Sequence, residues 1–128
     1  MQNCIFCKII RKEIPSQVVY EDDRVLAFKD INPIAPVHIL IIPKVHLENV
    51  LDINESNADL IGHIHLIANG LAHEAGIAEA GFRLVTNCNE EGGQVVFHLH
   101  YHLIGGKELR NIGRATSKSC LTQTQRDL

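Results

Sequence analysis

An α+β fold, with a mostly antiparallel sheet and one long helix, is what the sequence predicts, and three observations carry it. Only one stretch, about 57–75, repeats its apolar residues at helical spacing. The apolar runs on either side of it are short and rich in Val, Ile and Phe, as strands are. Strand and helix do not alternate regularly, which argues against parallel βαβ units.

Taken in order, NCIFCKIIRKEIPS (3–16) joins a cysteine pair to an apolar cluster of Ile5, Phe6, Ile9 and Ile10 and stops at Pro15; a short helix or coil is expected. VVYE (18–21) and RVLAFKD (24–30), linked by Asp22 and Asp23, read as a hairpin. NPIAP (32–36) carries two prolines and is a turn, not a central strand. VHILIIP (37–43) reads as a buried strand ended by Pro43. In the helix, Leu60, Ile64, Ile67 and Leu71 form the stripe, and Ile61, Ala68 and Ala72 widen it. Asn57 or Ser56 is expected to cap its start, Gly76 to end it, and Gly70 to mark close packing. FRLVTNC (82–88), a polar loop NEEGG (89–93) and a strand over 95–104, ended by Gly105 and Gly106, complete a single domain of residues 1–106. Residues 107–128 form a polar C-terminal tail of weak periodicity.

A chain of 128 residues can bury a real core, and its hydrophobic fraction of 45% is that of a globular protein. Net charge is −3 and Lys and Arg form no block, which disfavours duplex nucleic acid but leaves room for a single nucleotide in a pocket. No stretch reaches the roughly eighteen apolar residues of a membrane span. Lys8, Arg11 and Lys12 follow the first apolar run instead of preceding it, unlike a secretory signal, so a soluble cytoplasmic protein is expected.

The run VFHLHYHLIGG (96–106) asks for chemistry. If 95–104 is one strand, His98, His100 and His102 line one face while Phe97, Leu99, Tyr101 and Leu103 line the other, against the helix. Imidazole is a poor core filler, so the histidine face needs a use. Two histidines of an H-x-H pair can hold a reacting metal. Alternatively one histidine is a nucleophile, with a neighbouring imidazole steadying phosphoryl oxygens or protonating a leaving amine. Gly92 and Gly93 are placed to turn backbone N–H groups toward such an anion. His38 opens the buried strand and joins the cluster if the strands are neighbours, whereas His63, His65 and His73 on the helix read as structural or solvated. Cys4 and Cys7 form a C-x-x-C, a metal or redox pair in a reducing compartment; as metal ligands they need two histidines, for which His46 and His98 are candidates. Cys88 and Cys120 read as incidental thiols.

FCKIIRKEIPS, YEDDRVLAFKDINPIAPVHILIIPKVH and above all HLHYHLIGG resemble the histidine-triad (HIT) superfamily, and within it the Hint branch of purine nucleoside phosphoramidases, over about residues 3 to 106. The family signature alternates histidine with apolar residues, and 98–104 fits it with Tyr101 as an apolar member. The resemblance implies hydrolysis of purine nucleoside 5′-phosphoramidates, or related nucleotide conjugates, through a covalent nucleotidyl-histidine to a nucleoside monophosphate. It makes His100 the nucleophile, His102 the group tied to leaving-group departure and His38 a third member of the cluster. Asn87, Gly93, Gln94 and Val95 fall near the phosphate and Asp30 at the ribose, while Ile5, Phe6, Ile9, Phe28, Ile31 and Leu40 form an apolar clamp on the base. It also implies a structural zinc on Cys4, Cys7, His46 and His98, no organic cofactor, and a homodimer whose sheets join across the interface, a pairing the apolar helix stripe would suit. Val95 stands where animal members usually have serine, and the tail differs from their short tryptophan-bearing end, so the leaving group is left open. The rivals are a dinucleoside polyphosphate hydrolase, which usually has Gln where His102 stands, a catalytic-metal hydrolase, and a non-enzymatic nucleotide-binding module.

Overall fold

A computed structural model describes residues 3–109; the expected polar tail lies, from residue 110 onward, outside them. Five strands form one antiparallel sheet in the order β1-β2-β3-β5-β4: β1 (Val18–Glu21), β2 (Val25–Lys29), β3 (Val37–Pro43), β4 (Phe82–Val85) and β5 (Tyr101–Gly105). Among the described residues two α-helices accompany it, α1 (Ile5–Ile10) and α2 (Ala58–Glu74), with a 3-10 turn at Val50–Asp52. The α+β expectation holds.

Alternation along β2 and β3 divides the apolar residues between the two faces. On one face Val25, Ala27, Ile39, Ile41, Leu103 and Tyr101 pack with Leu60, Ile64, Ile67, Ala68, Leu71 and Ala72 of α2. On the other, Leu26, Phe28, Leu40 and Ile42 pack with Phe6 and Ile9 of α1. The helical stripe is therefore engaged inside the chain and is not free for a partner, contrary to the expectation for it; exposed Leu66 is what α2 leaves outside.

Helix α2 begins after Asn57, whose side-chain carbonyl accepts from Asn54 N–H instead of capping the helix itself. It ends in a Schellman arrangement: Gly76 N–H donates to the His73 carbonyl and Ile77 N–H to that of Ala72, with Gly76 at φ 75°. Space around Gly70 is open, so that glycine does not mark close packing. His63 is structural, as expected: it bonds the Asp22 carboxylate at 2.6 Å, tying α2 to the hairpin. Burial works to raise the Asp22 carboxyl, but bonds from Arg24 N–H, His63, Tyr20 and Val25 N–H outweigh it and hold it well below the usual range.

The histidine segment departs from expectation in length. Only Tyr101–Gly105 is strand, and 95–100 runs outside the ladder. Leu99 still joins the core under α2, while Phe97 is 46% exposed and does not. Other groups hold this segment: Leu99 N–H donates to the Leu47 carbonyl, and the Thr86 hydroxyl to that of His100 at 2.9 Å.

Candidate functional site

Histidines from one short segment serve two clusters. In the first, His98 is fully buried, and the ligand atoms of Cys4, Cys7, His46 and His98 all lie within 4.8 Å of one another, close enough to hold a metal ion. His98 Nε2–H donates to the Pro43 carbonyl at 2.8 Å, which leaves Nδ1 unprotonated and facing Sγ of Cys4 at 3.4 Å and of Cys7 at 3.6 Å. Nδ1 of His46 stands 3.3 Å from the Cys7 sulfur. A backbone carbonyl that orients a ligating imidazole is the usual support of a metal site. Burial first, then His46 and His100 nearby, push the His98 imidazole down to about 4 against the pull of the Pro43 carbonyl, so it is neutral, as a ligand must be. Burial and neighbouring Cys4 hold the Cys7 thiol up, and a bound cation would reverse this. Two soft sulfurs and two imidazole nitrogens around one point therefore fit a tetrahedral ion.

The second cluster comprises His100, His102, His38 and Asp30. His100 Nδ1–H donates to the His98 carbonyl at 2.7 Å, so Nε2 carries the lone pair. Burial outweighs that bond and the nearby Asp30 and lowers the His100 pKa, keeping the ring neutral. His38 Nδ1 accepts from Ile34 N–H at 3.2 Å; its Nε2–H then donates to His102 Nδ1 at 2.9 Å, with an Asp30 carboxylate oxygen 3.4 Å away. Those bonds place the remaining proton of a neutral His102 on Nε2. Burial, then repulsion from His100 and His38, pushes His102 down to about 4, opposed by Asp30. The His100 and His102 rings are 5.1 Å apart, and Phe6 stands edge-on to His100 at 5.1 Å.

Of the expected apolar clamp, Phe6, Ile9, Phe28 and Leu40 meet in one cluster beside His100, while Ile5 is 46% and Ile31 90% exposed. Asn87 is half-buried just past β4, and Val95 is 86% exposed on the loop. Gln94 is buried with its amide engaged internally: Oε1 accepts from Asn89 N–H, and Nε2 donates to the carbonyls of Glu48 and Val96. Its side chain therefore braces the loop. Gly93 N–H, expected to face an anion, donates instead to the Glu90 carbonyl, and Gly93 sits at φ 86°. Gly92 is required by crowding, because a Cβ there would meet the Cys88 carbonyl oxygen at 2.3 Å. The sequence reading missed Thr86, which supports the backbone of His100; a threonine in a strand carries no signal of that task.

Comparison with known proteins agrees with this geometry. The HIT domain family model matches residues 11–109. The purine nucleoside phosphoramidase of Escherichia coli (strain K12) is 49% identical over 108 residues, 84% of this chain and 91% of that protein. A HIT family hydrolase from Clostridium thermocellum superposes with a TM-score of 0.84 at 59% identity, covering 87% of this chain and 96% of that one. A histidine triad protein from Clostridium difficile gives 0.83 at 53% identity with the same coverage of each chain.

Proposed function

The chain belongs to the HIT domain family, and from that premise we propose that this nucleotide hydrolase cleaves purine nucleoside 5′-phosphoramidates by way of a nucleotidyl-His100. The observation that carries the reading is the tautomer of His100: with Nδ1–H engaged by the His98 carbonyl, Nε2 is a neutral lone pair beside an apolar wall. Nε2 attacks the α-phosphorus and the P–N bond breaks. The departing nitrogen takes a proton through His102, whose own affinity for protons rises once a phosphoryl anion lies against it. Water then attacks the same phosphorus and gives its proton to the now neutral His102, and the P–Nε2 bond breaks to release the nucleoside monophosphate. Asp30 holds the ribose hydroxyls, and Phe6, Ile9, Phe28 and Leu40 form the inner wall of the base pocket, with exposed Ile31 closing over its open side. The purine preference rests on the likeness to the Escherichia coli phosphoramidase.

The metal is zinc in this reading. Zn–S bonds of about 2.3 Å and Zn–N bonds of about 2.0 Å at tetrahedral angles place sulfur and nitrogen roughly 3.5 Å apart, and the Cys–His separations here are 3.3 to 3.6 Å. Four protein ligands leave no open position, so the ion supplies cross-linking and not catalysis. Residues 1–106 are the catalytic domain in the cytoplasm. Two copies join at the β4 edge of the sheet, aided by Leu66 of α2.

Incubation with adenosine 5′-phosphoramidate, acid-free quenching and peptide mass mapping tests the reading. A nucleotidyl group on His100 is expected; one on another residue, or turnover without any adduct in rapid-quench samples, overturns the covalent route.

A further inference from the structure

Between β4 and the histidine segment, loop 88–96 is fastened to the rest of the chain by two side-chain amides. Both lead to the residues that follow His46. Gln94 Nε2 donates to the Glu48 carbonyl at 2.7 Å, and Asn49 Nδ2 donates to Asn89 Oδ1 at 3.0 Å. One residue earlier, the Leu47 carbonyl takes the N–H of Leu99, so three successive residues splint the stretch from 89 to 99. Asn49 is buried, and its amide is not free to turn: Oδ1 accepts from Leu51 N–H at 2.9 Å, which leaves Nδ2 as the donor to Asn89. Asn89 sits at φ 60° and closes the loop on itself, its N–H donating to Gln94 Oε1 and its carbonyl accepting from Gln94 N–H. Asn87 stands two residues before this closure and Val95 directly after it.

We propose that Asn49 is a positioning residue for the nucleotide's phosphate, acting through Asn89 to hold the closed loop where Asn87 and the main chain at Val95 meet that phosphate. This rests on the nucleotide site proposed above and assigns the support of its phosphate end. Without the Asn49 amide, the bond from Gln94 to Glu48 is the one fastening left between the loop and this segment, and a single bond lets the loop pivot. The wall of Phe6, Ile9, Phe28 and Leu40 stands on α1, β2 and β3 and not on the loop, so the grip on the base does not depend on Asn49. The loss of Asn49 is therefore a loss of grip on phosphate alone.

The test titrates adenosine 5′-monophosphate and adenosine, which differ by the phosphate, into the wild type and its variants by calorimetry. Asn49→Ala is expected to weaken the monophosphate roughly three- to tenfold, the worth of one hydrogen bond, while adenosine keeps its affinity. Asn89→Gly keeps the left-handed backbone but removes the acceptor, and should cost as much. The double variant should lose no more than either single one, because both remove the same bond. Asn49→Asp should recover part of the loss, since the exposed Asn89 amide can turn and donate. If Asn49→Ala does not melt cooperatively, Asn89→Gly carries the comparison. Unchanged monophosphate affinity overturns the inference, as does an equal loss for both ligands, which would mark a general loosening of the fold. Losses that add in the double variant also overturn it, because Asn49 would then not act through Asn89. A wild type that binds the monophosphate no more tightly than adenosine overturns the proposed phosphate site itself, and the inference with it.

Discussion

His98 and His100 are two residues apart, both buried and both bonded to a backbone carbonyl, yet they are left with opposite nitrogens. His98 gives Nε2–H to Pro43 and turns Nδ1 toward two sulfurs. His100 gives Nδ1–H to His98 and keeps Nε2 beside His102 and Phe6. The carbonyl that each ring meets therefore decides which nitrogen it keeps free, Nδ1 toward the sulfurs in one case and Nε2 toward the neighbouring imidazole in the other. The Cys–His cluster has four potential donors converging on one point, whereas the imidazole cluster is a set of directed bonds with one lone pair left over. The first arrangement suits holding, and the second suits reacting.

The sharpest way to break that comparison is to exchange the losses. His100→Ala is expected to reduce turnover roughly a thousandfold or more while leaving melting behaviour and nucleotide binding close to wild type. His98→Ala should lose metal and stability together. Equal melting temperatures and metal contents for the two variants, by calorimetry and atomic absorption, would erase the distinction. Next in size, Cys7→Ser should take bound metal from one ion per chain to well below that and lower the melting temperature by roughly 10 °C or more. Unchanged metal content would remove Cys7 from the ligand set.

Thr86→Val sharpens the comparison from the reacting side. Removing the bond to the His100 carbonyl should lower kcat about tenfold with little change in KM or metal content, and Thr86→Ser should restore it. A change confined to KM would deny Thr86 this positioning role. The smallest effect is a proton count. His102 sits at about 4 in the free protein, so between that value and its raised value in the complex, binding a nucleoside monophosphate should take up a proton. Affinity then falls as pH rises through the raised value, while below 4 His102 contributes no uptake. Calorimetry in buffers of different ionisation enthalpy should show this extra uptake in the wild type and not in His102→Gln. Equal uptake by both would place the proton elsewhere.

Much of this was legible in the sequence, for identifiable reasons. The 3.6-residue spacing of Leu60, Ile64, Ile67 and Leu71 foretold α2, and the unbroken apolar run within VHILIIP foretold a buried strand. The resemblance brought together the Cys4, Cys7, His46 and His98 set, whose cysteines lie more than ninety residues from His98. Spacing alone does not reveal a contact at that separation. What was not legible is the shortness of β5. Residues 95–100 alternate like a strand, but they are held by Leu47, Pro43 and Thr86 instead of a neighbouring ladder, a tertiary choice with no local signature. The exposure of Phe97 and the inward turn of the Gln94 amide follow from the same irregular path.

Helix α1 has six residues, too few to stand alone in water. Its N-cap Cys4 and first-turn Cys7 both lie against His98, and from it Phe6 reaches the rings of both His98 and His100. The apolar wall beside His100 thus rests in part on a helix that two thiols hold against His98. Under the proposed reading, oxidation of this pair would loosen the nucleotide pocket while the sheet beneath stayed intact, making ligand grip an earlier casualty of peroxide than the fold.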